Sequence, residues 1–164
     1  MYRVYQEFFK CKIYNVKKSE LELYIESENQ ISIYITMRIS SPEAMIELWK
    51  DMSQKARYIL LYWELGAGKT HFVKGFIEWL GLDPYKVQSP TYTYFHDYEG
   101  KVLHVDMYRL ENEQYFIQKW MLQQIQDYDY VLIERPKYTH LYADRYTSIS
   151  IEKISETERE VKIA

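Results

Sequence analysis

The segment Glu64-Leu65-Gly66-Ala67-Gly68-Lys69-Thr70 lies between two patterned stretches of the chain. The apolar run at 58–62 precedes it and is typical of a strand in the middle of a sheet, and residues 70–80 carry apolar side chains at helical spacing. A strand, a glycine loop, a Lys-Thr pair and a helix, in this order, are the layout of a phosphate-binding P-loop. The glycines let successive backbone N–H groups approach the phosphates, and the helix N-terminus adds partial positive charge. The sequence therefore predicts a nucleotide site at this loop.

The two residues that end the loop indicate its chemistry. The Lys69 ammonium would reach the β- and γ-phosphates, and the Thr70 hydroxyl would ligate Mg²⁺. One position departs from the pattern G-x-x-x-x-G-K-[ST], because Trp63 stands where the first glycine belongs. Glycine accepts backbone angles and close approaches that a large residue resists. We therefore expect Trp63 either to turn its indole away from the phosphates or to distort the entrance, and we hypothesise that Gly66 and Gly68 still bind phosphate, more weakly.

Strand and helix patterns along the rest of the chain predict an α/β fold. Apolar runs alternate with helical segments, and hairpin patterns accompany them. This combination favours a mixed sheet with a parallel centre, an antiparallel edge and flanking helices. Strands are predicted at 21–25, 31–35, 58–62, 92–98, 102–107, 130–133, 146–154 and 158–163, and helices at 41–55, 70–80 and 111–126.

Two carboxylates follow predicted buried strands. Asp106 comes directly after the strand residues 102–105, and Glu134 comes after 130–133. An acid at the end of such a strand is the Walker B arrangement, which holds Mg²⁺ directly or through water, or polarises the attacking water. Strand ends also carry solvated acids, so one carboxylate alone would be weak evidence. Because ligands bind beyond the carboxyl ends of parallel strands, where the glycine loop also lies, the pair favours an active site.

Three further features each allow two interpretations. The segment Ser89-Pro90-Thr91-Tyr92-Thr93 is either a turn that leads into a strand or a switch whose Thr91 and Thr93 hydroxyls sense the nucleotide. His104 is either a hydrogen-bonded structural residue, which we favour, or a catalytic one, and the four histidines show no metal-ligand spacing. Arg109 pairs either with a carboxylate or with a phosphate.

Composition restricts the class of protein. The 164 residues predict one domain with its own core, and 47% apolar with 27% charged residues is ordinary for a globular chain. The net charge of −3 and the absence of a long Lys/Arg run argue against tight nucleic-acid binding by the chain alone, so any such role would run through a partner. The single Cys11 excludes an intramolecular disulfide. No apolar run approaches a membrane span and no signal-peptide pattern opens the chain, so we expect a cytoplasmic protein without membrane contact.

Five motifs follow one another along the chain. They are Gly66–Thr70, Phe72–Phe76, Ser89–Thr93, His104–Leu110, and Leu132–Glu134 with Pro136. This order resembles the TsaE family, formerly called YjeE, which comprises small bacterial ATPases of tRNA threonylcarbamoyladenosine biosynthesis. The likeness runs from about Ile35 to the C-terminus, and the combination of the loop with S-P-T-[FY]-T and H-x-D-x-Y-R-L is quite specific.

The resemblance implies a P-loop NTPase-like fold and Mg²⁺-dependent hydrolysis of ATP. It also implies docking to the TsaB–TsaD heterodimer, which transfers threonylcarbamoyl to the adenosine beside the anticodon of tRNAs that read ANN codons. The ATPase would reset or regulate that complex between turnovers and would meet tRNA only indirectly. In the family's terms residues 35–164 form the ATPase domain, whereas residues 1–34 are an N-terminal extension, expected to be β-rich and to pack on or beside the core.

The resemblance also implies roles for single residues. Lys69 would bind phosphate, and Thr91 and Thr93 would belong to the nucleotide switch. The implied catalytic set is Lys69, Asp106 and Glu134, the implied metal ligands are Thr70, Asp106 and Glu134, and the implied nucleotide contacts are Glu64, Leu65, Gly66, Ala67, Gly68, Lys69, Thr70, His71, Thr91 and Thr93.

Three departures from the family pattern bear on activity. Trp63 replaces the loop glycine, Arg135 replaces the Trp of the family's Glu-Trp-Pro, and no Leu-Gly-Leu follows Leu110. Two alternatives to the ATPase therefore stay open. One is a degenerate nucleotide-binding module that docks to its partners and hydrolyses little ATP. The other is a small P-loop kinase, which would need a lid and an acceptor pocket that the chain has few residues to build.

Overall fold

The computed structural model describes residues 35–39, 57–63, 68–114, 125–141, 146–156 and 158–164. Short 3-10 turns lie at Pro84–Lys86 and Thr139–Leu141. The longer elements are β1 (Ile35–Ile39), β2 (Tyr58–Trp63), α1 (Lys69–Trp79), β3 (Phe95–Tyr98), β4 (Val102–Asp106), β5 (Tyr130–Glu134), β6 (Tyr146–Lys153) and β7 (Arg159–Ile163).

The seven strands form one sheet in the order β1-β7-β6-β2-β5-β4-β3. In its centre β2 runs parallel to both β5 and β6, and β4 runs parallel to β5. Towards the edges the pairing is antiparallel, with β3 on β4 at one side and β6, β7 and β1 in succession at the other. The predicted mixed sheet is confirmed, and antiparallel hairpins join β3 to β4 and β6 to β7.

The β3–β4 hairpin is shorter than predicted. β3 begins at Phe95 rather than at Tyr92, because Tyr94 has a φ of 69°, which is a left-handed conformation that a strand does not accommodate. The backbone N–H of Thr93 donates to the carbonyl oxygen of Pro90 at 3.1 Å and closes a turn instead. The tyrosines that alternate along this segment therefore lie only partly in a strand.

Several predictions fall outside the described residues. They concern the extension at 1–34, the helix at 41–55 and most of the helix at 111–126. Of the two strands predicted at 21–25 and 31–35, only Ile35 is described. The division into an extension and an ATPase domain therefore stays a prediction. Within the described ranges, no helix is long and apolar enough to cross a membrane.

Alternate residues of β2 face two separate hydrophobic clusters. Ile59 and Leu61 belong to a cluster that includes Phe72 and Phe76 of α1, whereas Leu60 packs on the opposite face with side chains from β4 and β5. All three β2 residues are at most 1% exposed. Burial on both faces explains why the central strands have nearly continuous apolar sequences.

The helix that follows the loop ends where the sequence predicts. Gly81 has a φ of 74°, and its N–H donates to the carbonyl oxygen of Glu78 at 2.9 Å. The N–H of Leu82 donates to the carbonyl oxygen of Ile77 at 3.0 Å, which completes a Schellman motif. Glycine adopts this left-handed conformation without steric cost, so Gly81 fixes the end of α1.

Candidate nucleotide site

The N-terminus of α1 lies at the carboxyl edge of the sheet and is suited to an anion. Its N-cap, Gly68, has a φ of 98° and no side chain to cap the helix, and the first turn of α1 contains no acidic residue. The partial positive charge of the helix end is therefore not offset within α1. Thr70 and His71 are exposed in this turn. Residues 64–67 lie outside the described ranges, so the nucleotide contacts of Glu64, Leu65, Gly66 and Ala67 stay a prediction.

Glu134, the last residue of β5, lies between Lys69 and His104. Its Oε2 is 4.0 Å from Nζ of Lys69, and its Oε1 is 2.9 Å from Nε2 of His104. An ionised carboxylate can only accept hydrogen bonds, so His104 donates from Nε2. His104 is hydrogen-bonded, as the favoured interpretation expects, but its partner is a predicted catalytic residue. One oxygen of Glu134 is thus held from the neighbouring strand, and the other faces the lysine that follows the loop.

Asp106, the last residue of β4, is paired with Glu134 in the sheet register, but its surroundings differ. Oδ1 accepts from the Tyr108 backbone N–H and from Nε of Arg135, both at 2.9 Å. Oδ2 accepts from the Thr91 hydroxyl at 2.7 Å and from Nη2 of Arg135. A carboxylate offers about four lone-pair sites, so protein donors engage all of them.

The donors around Asp106 also set its charge state. Burial alone would raise the pKa of the Asp106 carboxyl, but the hydrogen bonds from Arg135, Thr91 and the Tyr108 backbone outweigh burial and lower that pKa below its usual value. Asp106 is therefore an ionised anchor for Arg135 and Thr91.

The sequence did not predict a role for Arg135 in the site. Arg135 follows Glu134 directly, with a φ of 51°, and its guanidinium lies 4.5 Å from the centroid of the Tyr108 ring while it pairs with Asp106. Burial would lower the pKa of Arg135, but the hydrogen bond and the charge of Asp106 raise it. The sequence does place an arginine immediately after Glu134. Together with the pairing of β5 with β4, this position would have indicated an ion pair with Asp106.

The Ser89–Thr93 segment is tied to this cluster by Thr91. Besides its bond to Asp106, the Thr91 hydroxyl accepts from Nη2 of Arg135 at 3.1 Å and lies 3.0 Å from the Ser89 hydroxyl. Thr93 instead pairs with Nε2 of His96 at 3.2 Å. The described contacts therefore bring Thr91, and not Thr93, to the acidic cluster.

Arg109 takes a partner that the sequence did not suggest. Its guanidinium lies 4.7 Å from the centroid of the exposed Tyr92 ring. Neither of the two interpretations of Arg109, a carboxylate partner or a phosphate partner, included an aromatic ring.

Trp63 ends β2 in regular strand pairing with Ile151 of β6. The φ angle of Trp63 is not positive, so its backbone conformation does not require glycine. The indole packs edge-on against Phe72 of α1, with ring centroids 5.1 Å apart. Its Nε1 is buried and has no hydrogen-bond partner within the described part of the chain. The backbone at Trp63 is therefore allowed and the indole packs on α1, whereas its position relative to the phosphates stays a prediction.

The described residues contain no group of three or more His, Cys, Asp and Glu side chains that could hold a metal ion. Mg²⁺ in nucleotide sites usually takes one or two carboxylates and completes its shell with phosphate oxygens and water. By their chemistry, Oε2 of Glu134 and the hydroxyl of the exposed Thr70 suit such a partial set. Asp106 would first have to release Arg135, so its role as a direct metal ligand stays a prediction.

Comparisons with known proteins place the chain among relatives. The family model of the threonylcarbamoyl adenosine biosynthesis protein TsaE matches residues 39–161. The tRNA threonylcarbamoyladenosine biosynthesis protein TsaE of Bacillus subtilis is 38% identical over 81 residues, which cover 48% of this chain and 51% of that protein. The TsaE of Haemophilus influenzae is 41% identical over 66 residues, 38% of this chain and 41% of that protein. The chain thus spans about half or less of the length of the curated relatives it matches.

The fold has a solved counterpart. The crystal structure of Bacillus subtilis YdiB superposes with a TM-score of 0.53 at 23% identity, and the match covers 83% of this chain and 87% of that one. The predicted P-loop NTPase-like fold agrees with this likeness and with the mixed sheet. Because the family model matches most of its length, the chain belongs to the TsaE family.

Proposed function

We propose that this protein is a Mg²⁺-dependent ATPase that supports threonylcarbamoyladenosine modification of tRNAs reading ANN codons. The main support is the convergence of Lys69, Glu134 and His104 at the start of α1, next to a loop whose sequence suits phosphate. Membership of the TsaE family supports the pathway, since its curated members are named for tRNA threonylcarbamoyladenosine biosynthesis.

The terminal phosphates of ATP would bind at the N-terminus of α1. Lys69 is 16% exposed there, and its 4.0 Å separation from Glu134 is the longest that counts as an ion pair. The pair is long, and the first turn of α1 contains no acidic residue, so a bound phosphate would be a closer partner for the ammonium than Glu134 is. The loop residues Glu64 to Gly68, with Thr70 and His71, would surround the β- and γ-phosphates.

Glu134 would act on the attacking water. With Oε1 held by His104, Oε2 accepts a hydrogen bond from a water that lies between Glu134 and the γ-phosphate, and this bond orients the water for in-line attack. Thr70 and the Glu134 carboxylate are the groups that would hold Mg²⁺, the carboxylate through water, so that Oε2 also stays available to the attacking water. Mg²⁺ held there would neutralise the negative charge that develops on the phosphate oxygens during transfer.

Asp106 would serve the switch rather than the water. It holds Thr91 at 2.7 Å and fixes Arg135, so the Ser89–Thr93 segment is anchored at the edge of the site. A γ-phosphate would offer the Thr91 hydroxyl an alternative acceptor, and its loss on hydrolysis would return Thr91 to Asp106. The segment would thereby report the state of the nucleotide to a docked partner.

That partner would be the TsaB–TsaD heterodimer in the cytoplasm. The net charge of −3 agrees with a protein that acts on the modifying complex and reaches tRNA only through it. Hydrolysis would reset or regulate the complex between transfers, and the transfer itself would belong to TsaB–TsaD.

A second candidate function is a nucleotide-binding docking module with little turnover. The observation that favours it is the saturation of Asp106 by Arg135, Thr91 and the Tyr108 backbone, which leaves one of the two predicted Walker B acids without a free oxygen.

Phosphate release by the purified full chain, alone and with TsaB–TsaD, tests the proposal. We expect Mg²⁺-dependent turnover that EDTA abolishes, and association with TsaB–TsaD at micromolar concentrations that ATP and ADP modulate differently. Absence of both turnover and association would overturn the proposal. Association and nucleotide binding without turnover would instead support the docking module.

A further inference from the structure

We infer, on the basis of the proposed ATPase function, that His104 is a positioning residue. Its Nε2–H holds Oε1 of Glu134 and thereby aims Oε2 at Lys69 and the nucleotide site. His104 touches neither phosphate nor water in this role and acts only through the carboxylate of Glu134.

The ring of His104 is fixed on several sides. His104 lies in β4, is 1% exposed and donates to Glu134 at 2.9 Å. The Tyr98 ring of the neighbouring strand stacks on it with a centroid distance of 6.3 Å and an interplanar angle of 29°. Tyr98 is itself tethered, because its hydroxyl lies 3.5 Å from the carbonyl oxygen of Gln88. A donor in a fixed ring gives its hydrogen bond a fixed direction.

The other nitrogen of His104 indicates what the residue is for. Nδ1 is buried and has no hydrogen-bond partner within the described part of the chain. An unsatisfied buried polar atom costs stability, and an apolar side chain of similar size would avoid that cost. The bond to Glu134 is therefore the interaction that distinguishes His104 from an apolar core residue.

Fixing one carboxylate oxygen matters because a glutamate headgroup turns easily. Its last torsion is broad and roughly two-fold, so an unheld carboxylate samples many orientations. Partners of this kind, one step removed from the reacting groups, typically change activity or metal affinity by about 10- to 100-fold when they are lost. We expect a loss of that size in turnover, with little change in ATP binding.

Two substitutions separate the hydrogen bond from the volume of the ring. His104→Met removes the donor and keeps an apolar side chain of similar length, whereas His104→Gln keeps an amide N–H near the position of Nε2. His140→Met is the matched control, because His140 is exposed and pairs with Glu113. With TsaB–TsaD present, His104→Met should lower kcat about 10- to 100-fold and leave the KM for ATP within about 2-fold. His104→Gln should recover most of the loss, and His140→Met should match the wild type.

Two kinetic results would overturn the inference: a kcat in His104→Met that equals that of the wild type, whatever its KM, or an equal loss of kcat in His104→Gln and His104→Met. Thermal melting establishes that each variant folds. If His104→Met does not fold, the His104→Gln result and the spectroscopic arm decide.

The spectroscopic arm does not depend on turnover. Long-range ¹H–¹⁵N NMR of the wild-type chain should show His104 as the Nε2–H tautomer, and Glu134→Leu should alter its ring signals. An Nδ1–H tautomer, or signals that ignore Glu134→Leu, would overturn the inference. If the wild-type chain hydrolyses no ATP, the proposed function fails, and this NMR result alone decides whether His104 holds Glu134.

Discussion

Glu134 and Asp106 end neighbouring parallel strands, pair with each other in the sheet register and are both almost fully buried. They differ in their donors. Glu134 has one oxygen bonded to His104 and the other 4.0 Å from Lys69, whereas Asp106 accepts four hydrogen bonds from protein groups. The comparison teaches that the end of a strand places a carboxylate at the site, but the neighbouring donors decide whether it remains available for chemistry.

One residue supplies two of the four hydrogen bonds to Asp106. Arg135 donates to both oxygens of Asp106, and a charge-assisted, two-pronged contact of this kind is strong and directional. The ammonium of Lys69 reaches Glu134 only at the limit of an ion pair. Asp106 is consequently an anchor, while Glu134 keeps an oxygen that a water or a metal ion can share.

Replacing Glu134 by Gln should produce the largest loss of turnover. A small loss would mean that Glu134 is no more available for chemistry than Asp106. Gln keeps the shape and can still accept from His104, but it removes the negative charge that faces Lys69. We expect turnover to fall about 10²- to 10³-fold, while ATP affinity stays within a few-fold. Phosphate release and nucleotide titration measure the two effects. Glu113→Gln, at an exposed pair with His140, should change neither. Equal losses of binding and turnover would argue for a structural role of Glu134.

Lys69→Ala should remove the cation that faces Glu134 at the start of α1. It deletes the phosphate-facing charge and leaves the Glu134 carboxylate to repel the phosphates, so ATP affinity should fall by about 10²-fold or more. Isothermal titration calorimetry measures this loss. Lys86→Ala, at the exposed pair with Glu99, is the control and should bind ATP normally. Unchanged affinity in Lys69→Ala would mean that the loop is not the nucleotide site.

Arg135→Gln tests the role of Asp106 as an anchor, and its effect is measured on stability. It leaves the Asp106 carboxylate buried without its cation, and we expect the free energy of unfolding at pH 7 to fall by about 2–3 kcal/mol. This is less than for a fully buried pair, because Arg135 is partly exposed. Urea unfolding measures it. Arg109→Gln, which removes the contact with the Tyr92 ring, should cost about 0.5–1 kcal/mol.

The pH dependence of that difference has a definite sign. The pKa of Asp106 is lower in the folded chain than the ordinary value of 3.8, so the folded state binds fewer protons than the unfolded state in that range. The stabilisation by Arg135 is therefore fully present above the unfolded pKa and is lost as the pH falls through the folded one. The gap between the wild type and Arg135→Gln should be constant from neutral pH to about pH 5 and narrow below about pH 4. A gap that widens towards acid would contradict the assignment.

The elements around the loop could be predicted from sequence because their signals are local. Apolar runs, a glycine after the helix and an acid after each strand depend on neighbours in the chain, and the structure reproduces them at β2, α1, β4 and β5. The pairing of Arg135 with Asp106 and Thr91 was not predictable in this way. These residues are 29 and 44 positions from Arg135, and the sheet order brings them together. The turn at Tyr94 was missed because its left-handed backbone has no sequence signature in a tyrosine.

Trp63→Gly should have the smallest effect on nucleotide affinity. It tests whether the missing loop glycine affects nucleotide binding independently of Glu134 and Asp106. Since the indole packs on Phe72, its loss should lower the free energy of unfolding by about 1–2 kcal/mol and change ATP affinity by less than about 3-fold. Trp63→Phe keeps a ring against Phe72 and removes Nε1, which has no hydrogen-bond partner among the described residues, so it should remain near wild-type stability. A tenfold gain in affinity for Trp63→Gly alone would show that Trp63 distorts the loop.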